Sequence, residues 1–214
     1  MVEITAEFLA KSLEEAASTF DDGELAYTAL TSKVELPLRD RLAWRLHTTL
    51  PDLTIAREWR RTDLAVLHKE SRPVALLEAK ALYTFDIATV ERANVKKYTT
   101  RVKNDLLKSL TLLAGQPAAV YALVLATHPL DPPPVLDGVI KYRSAMQAAL
   151  NRSPADEILN GAQTVMKQSL EPLGPTLHGF LDAGKAFDTR VVISYWIVGP
   201  VDPKLLDGIP VPTS

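Results

Sequence analysis

Three charged residues stand inside runs that are otherwise apolar. Residues 57–86 read REWRRTDLAVLHKESRPVALLEAKALYTFD. Two apolar runs, Arg61–His68 and Val74–Tyr83, flank Lys69-Glu70-Ser71-Arg72-Pro73, which is the pattern of a β-hairpin. Asp63 interrupts the first run, and Glu78 and Lys80 interrupt the second. Strand side chains alternate faces, so Glu78 and Lys80 share one face. Register decides whether Asp63 joins them. If His68 pairs with Pro73, Asp63 lies opposite Glu78 and Arg61 opposite Lys80; a loop one residue longer turns Asp63 away from both. The first register brings two carboxylates and an ammonium within about 5 Å of one another at Cβ. Opposed carboxylates repel, and burying them is costly unless a cation lies between. A divalent ion meets that need, because Mg²⁺ is commonly held by two carboxylates plus substrate phosphates. The competing reading is an ion pair of Glu78 or Asp63 with Lys80 or Arg61. Arg61 beside Lys80 would put two cations together, which suits a phosphate better than a neutral pair.

The elements around the hairpin must hold those groups in place. Residues 4–20 have an amphipathic helical pattern, with Phe8, Leu9, Leu13, Ala16, Ala17 and Phe20 on one side. Asp21-Asp22-Gly23 breaks it, and a short helix is expected over Glu24–Leu30. Ser32-Lys33-Val34-Glu35 has capping-box spacing and opens a helix over Leu38–Leu50, which carries Arg39, Arg41 and Arg45, read as a solvated face. Leu53–Trp59 reads as the strand before the hairpin. After it, Thr89–Leu113 carries Tyr98, Val102, Leu106, Leu110 and Leu113 as one buried stripe. Gly115-Gln116-Pro117 ends that helix. Ala118–Thr127 is then a continuous apolar strand, buried on both faces and reached by a parallel crossover. A plain loop is expected at His128-Pro129. Eleven of the 15 prolines lie beyond residue 128, so the remainder is expected to be loop-rich. It should hold helices over Asp137–Leu150 and Pro154–Leu170, a turn rich in Pro and Gly, a strand over Arg190–Val198 and an extended tail.

Asp63 followed by Glu78-Ala79-Lys80, in the contexts R-T-D-L-A-V and L-L-E-A-K-A, resembles the PD-(D/E)XK nuclease superfamily. Thr62 stands where that motif has its nominal proline. The resemblance covers residues 32–127, by motif and element order. It implies an α/β fold with a restriction-endonuclease-like core, a mixed central β-sheet flanked by helices. One domain would then comprise N-terminal helices (1–31), a nuclease-like core (32–127) and a helical and strand extension (128–214). It implies a Mg²⁺-dependent endonuclease, with Mn²⁺ able to substitute, hydrolysing nucleic acid, DNA ahead of RNA. Asp63 and Glu78 would bind the ion and the Ala79 carbonyl would add a ligand. Lys80 would orient the attacking water or stabilise developing charge. The superfamily's helix carboxylate is matched by Glu35, with Asp40 as the alternative and plain N-capping equally open for Glu35. In the superfamily the helix after the second motif strand faces phosphates. Here residues 88–113 hold six basic residues (92, 96, 97, 101, 103, 108) and two acidic ones (91, 105). Arg92, Lys96, Lys97, Arg101 and Lys103, with Arg61, are therefore the expected nucleic-acid contacts. Many enzymes of this fold act as homodimers. The alternative is a catalytically inactive nuclease-fold module that binds nucleic acid or a protein partner.

Composition bounds these readings. Lys and Arg number 24 against 26 Asp and Glu, a net charge of −2, so attraction to nucleic acid must come from a local basic cleft. Hydrophobic content of 47% with 23% charged residues is that of a globular chain. No run reaches the roughly 18 apolar residues of a membrane span, and the start lacks a signal-peptide pattern. The absence of cysteine excludes disulfides and thiolate metal sites, and fits a cytoplasmic location. No G-x-S-x-G, P-loop, G-x-G-x-x-G or H-E-x-x-H is present, and the four histidines have no zinc-ligand spacing.

Overall fold

The structure, a computed structural model, describes residues 3–88, 93–136 and 138–207. Helix α1 (Ala6–Ala17) is opened by Thr5, whose hydroxyl accepts the Phe8 N–H at 3.2 Å. Helices α2 (Glu24–Thr31) and α3 (Glu35–Thr49) follow. Their apolar stripes, including Leu9, Leu13, Leu30, Leu38, Leu42 and Leu46, are buried in one core against a six-stranded sheet.

The strands are β1 (Thr54–Trp59), β2 (Thr62–Leu67), β3 (Pro73–Tyr83), β4 (Ala119–Pro129), β5 (Thr176–Ala186) and β6 (Thr189–Val198). Their order across the open sheet is β1-β2-β3-β4-β6-β5. Only β3 and β4 run parallel, and the other neighbours are antiparallel. The remaining helices are α4 (Phe85–Ala88), α5 (Ala93–Leu113), α6 (Arg143–Leu150), α7 (Ala155–Leu170) and α8 (Pro203–Asp207). The crossover helix α5 joins the parallel pair, as a βαβ connection requires. Val102, Leu106 and Leu113 of α5 enter a second core with Ala162, Met166 and Leu170 of α7, on the opposite face of the sheet from α1–α3. The fold is thus α/β, with a mixed open sheet covered on both faces. Sandwiching explains why β4 is apolar without alternation. Among the described residues no helix is long and apolar enough to cross a membrane.

Several expected details differ. The body of the β2–β3 ladder keeps the register that sets Asp63 against Glu78 (Leu64↔Leu77, Ala65↔Leu76, Val66↔Ala75), but a bulge then pairs Leu67 with Pro73. The hairpin therefore closes through the His68 N–H and the Arg72 carbonyl at 2.8 Å, not through His68 and Pro73. Arg60 and Arg61, with φ of 48° and 70°, form the two-residue turn between Trp59 and Thr62. Arg61 is thus a turn residue and does not lie in β2 opposite Lys80. Helix α6 begins at Arg143, after Gly138 and Tyr142 have both taken positive φ, so the expected start at Asp137 is too early. The segment expected as a Pro- and Gly-rich turn contains β5. Its two glycines disguised it: a Cβ on Gly179 would collide with the Tyr195 ring and hydroxyl, and Gly184 takes φ 80° at a bulge. His128, expected in a loop, is buried within β4.

Candidate active site

The site lies where two strands part. The β2–β3 ladder ends at Leu64↔Leu77, while β3 continues beside β4 as far as Tyr83↔Thr127. Beyond that point the β2-side edge of β3 presents backbone groups that need other partners. Two carboxylates provide them. Asp63 Oδ2 accepts the Ala79 N–H at 2.8 Å, and Glu35 Oε2, from the first turn of α3, accepts the Ala81 N–H at 3.0 Å. A strand residue's N–H and C=O leave by the same edge, so the Ala79 carbonyl opens into the same gap.

Alternation sends Ala79 and Ala81 into the core beneath α1–α3, and Leu76 and Leu82 into the core beneath α5. Glu78 and Lys80 share the phase of Leu76 and Leu82, and meet α5. Asp105, Lys108 and Ser109, spaced i, i+3 and i+4, form the facing surface of that helix. Glu78 is only 3% exposed, and its Oε1 accepts from Ser109 Oγ at 2.9 Å and from Lys108 Nζ at 3.1 Å. Lys108 also donates to the Arg61 carbonyl. Lys80 Nζ lies 2.8 Å from Asp105 Oδ2. On the α3 side, the 5%-exposed Arg39 bonds Asp40 at 2.8–2.9 Å, pairs with Glu58 and stands 3.9 Å from Asp63 Oδ1.

These contacts set the charge states. Burial raises the Glu35 pKa; the Lys80 charge and the Ala81 N–H oppose it, and the Asp63 charge adds to it. Burial likewise raises the Glu78 pKa against the bonds from Ser109 and Lys108, with Asp63 again adding. Burial disfavours the Lys80 ammonium, but the Asp105 bond and the charges of Asp105, Glu35 and Asp63 outweigh it and raise the Lys80 pKa. Lys80 is therefore a firmly protonated cation.

The structure gathers Asp63, Glu78, Ala79, Lys80 and Glu35 around one short stretch of β3. Glu35 does not form a capping box: α3 has no side-chain cap, and Ser32 Oγ donates to the Thr28 carbonyl at 3.1 Å. Asp40 is engaged by Arg39 and by Arg57 at 2.8 Å. Among the described residues no group of three or more His, Asp or Glu side chains is arranged to enclose a metal ion. Of the expected nucleic-acid contacts, Arg61, Lys96, Lys97 and Arg101 are exposed. Lys103, expected as a nucleic-acid contact, is instead 3% exposed, on a helix closed in by the sheet, α7 and α8. Arg92 lies outside the described residues. Sequence reasoning did not single out Asp105 or Ser109, and it read Arg39, Arg41 and Arg45 as a solvated face, whereas Arg39 is buried among carboxylates and Arg41 and Arg45 pair with Glu24 and Glu15 of the neighbouring helices. The role of Arg39 could have been read from its place one helical turn from Glu35. The chain shows no significant match to any protein family, curated protein or solved structure.

Proposed function

We propose that the chain is a metal-dependent phosphodiesterase of the PD-(D/E)XK type, with a restriction-endonuclease-like core, acting on nucleic acid and on DNA ahead of RNA. One observation carries the reading: Asp63 and Glu35 are bonded to the N–H groups of Ala79 and Ala81, so the helix carboxylate and both motif strands converge on one gap in the sheet. The donor chemistry suits Mg²⁺. Asp63 Oδ1 and Glu78 Oε2 accept none of the bonds described above, and two carboxylates with the Ala79 carbonyl make a hard oxygen set of the kind that ion accepts, waters and phosphate completing it. Asp63, Glu78 and Ala79 would hold the ion, with Glu35 beside them. When bound, Mg²⁺ supplies an acidified water and screens phosphate charge. Lys80, kept cationic by Asp105, stabilises negative charge as it develops on the phosphorus oxygens, rather than acting as a general base. Glu35 and Asp63, fixed on the β3 backbone, orient the site without needing to reorganise.

A second reading is a noncatalytic nuclease-fold module. The Lys108 ammonium beside Glu78 supports it, because that contact supplies a cation without any metal.

The test is cleavage of supercoiled plasmid, single strands, branched DNA and RNA, with Mg²⁺, Mn²⁺ or EDTA, by wild type and Asp63→Asn. Asparagine keeps an acceptor for the Ala79 N–H. Metal-dependent cutting that falls by about 10²-fold or more in the variant supports the enzyme. Absence of cutting on every substrate, with no Mn²⁺ binding, favours the module.

A further inference from the structure

The two lysines at the site have different partners. Lys80 is paired with Asp105 and not with Glu78. Glu78, almost wholly buried and next to the like charge of Asp63, takes its neutralising charge from Lys108, while Ser109 contributes a neutral hydrogen bond from a buried position. Lys108 reaches Glu78 from outside. Its side chain is 42% exposed, and the ammonium bridges the Glu78 carboxylate and the Arg61 carbonyl in the β1–β2 turn. A long exposed stem can swing into water with little loss of packing, whereas Glu78 and Ser109 are fixed.

We propose that Lys108 is a tethered counter-cation that occupies the charge position beside Glu78 and leaves it when a divalent ion binds, thereby setting the metal affinity of the site. The inference rests on the metal-site reading above. The physical basis is competition. An ammonium at hydrogen-bond distance from Glu78 and a divalent ion on the same carboxylate repel strongly in a partly desolvated gap. Binding of the ion must therefore include release of the Lys108–Glu78 contact, and its apparent affinity falls by the free energy of that contact. Without metal the same contact keeps a buried carboxylate from standing unpaired, and so holds the gap intact.

Mn²⁺ binding to the full chain is measured by titration calorimetry for wild type, Lys108→Met, Lys108→Gln and Lys108→Arg, with the metal-free melting temperature of each. Glutamine keeps a donor for Glu78, which guards against a variant that fails to fold. The two uncharged variants should bind Mn²⁺ about 5- to 150-fold more tightly than wild type, the usual range for a coupling of this kind. Lys108→Arg should stay near wild type, and metal-free Lys108→Met should melt lower. Binding by the uncharged variants with none detectable in wild type also supports the proposal. In wild type carrying ¹³C-dimethylated lysines, the Lys108 signal, assigned by its loss in Lys108→Met, should move on addition of Mg²⁺. Equal or weaker Mn²⁺ affinity in both uncharged variants, or a Lys108 signal that stays in place while metal binds, overturns the inference and leaves the metal site standing. No binding in any of the four proteins overturns both.

Discussion

At neutral pH, burial of Glu35 and Glu78 works against the folded chain. Both have folded pKa values above their ordinary value, so their stabilising contribution is complete below that value and is lost as pH rises through the folded pKa. Without metal, Glu78→Gln should therefore be at least as stable as wild type at pH 7, and the difference should shrink as the pH falls toward the ordinary carboxylate range. Urea denaturation at two pH values checks this. A loss of about 3 kcal/mol or more at pH 7 would mark Glu78 as half of a structural ion pair instead. The same shifts predict the pH–rate profile. With metal well below saturation, cleavage should rise with pH through values above the ordinary glutamate range, because the metal-free carboxylates must ionise to take up the ion. It should show no fall from Lys80 near neutrality, since the Lys80 pKa is raised. A profile already flat at pH 4 would remove these carboxylates from the chemistry.

The ends of the parallel strand pair carry a different titration. His128 Nδ1, in β4, lies 2.7 Å from the Thr84 hydroxyl just after β3, and burial lowers the His128 pKa from 6.5 to about 4. Between those values the unfolded chain binds a proton that the folded chain refuses. Stability should be full above pH 6.5 and decline as the pH falls to about 4, by roughly 3 kcal/mol at most. His128→Gln should flatten that decline in denaturation curves. In the β5–β6 hairpin, Gly179 lets the Tyr195 ring lie across the strand and reach Glu14 at 2.6 Å. Gly179→Ala should therefore cost about 1–3 kcal/mol, from overpacking against a fixed ring. An unchanged urea midpoint would show that the ring can move aside.

For the molecule as a whole, the net charge of −2 leaves little long-range attraction for a polyanion. Exposed Lys96, Lys97 and Arg101 lie on the same helix that brings Asp105, Lys108 and Ser109 to the site. If they track phosphates, each change to alanine should weaken DNA binding similarly for all sequences. Each should also reduce the salt slope of log K by about one. Filter binding at several salt concentrations measures both quantities, and unchanged slopes would leave these residues as a solvated face.

Patterns that depend on neighbours along the chain could be read directly. Period-two alternation placed Glu78 and Lys80 on one face, the apolar stripe fixed α5, and helix-then-strand order gave the parallel crossover. Local chemistry that competes with long-range packing could not be decided from neighbours along the chain. Ser32 and Glu35 have capping-box spacing, yet the unpaired Ala81 N–H across the sheet draws Glu35 away. Strand β5 was hidden because Gly179 is there to admit Tyr195 from the next strand and Gly184 to form a bulge, and no local pattern reports either. The sequence alone therefore determined which side chains share a face. Only the tertiary structure decided which carboxylate meets which cation, because Arg39 reaches the motif residues from α3 and Asp105 and Lys108 reach them from α5, and those pairings depend on how the two layers pack on the sheet.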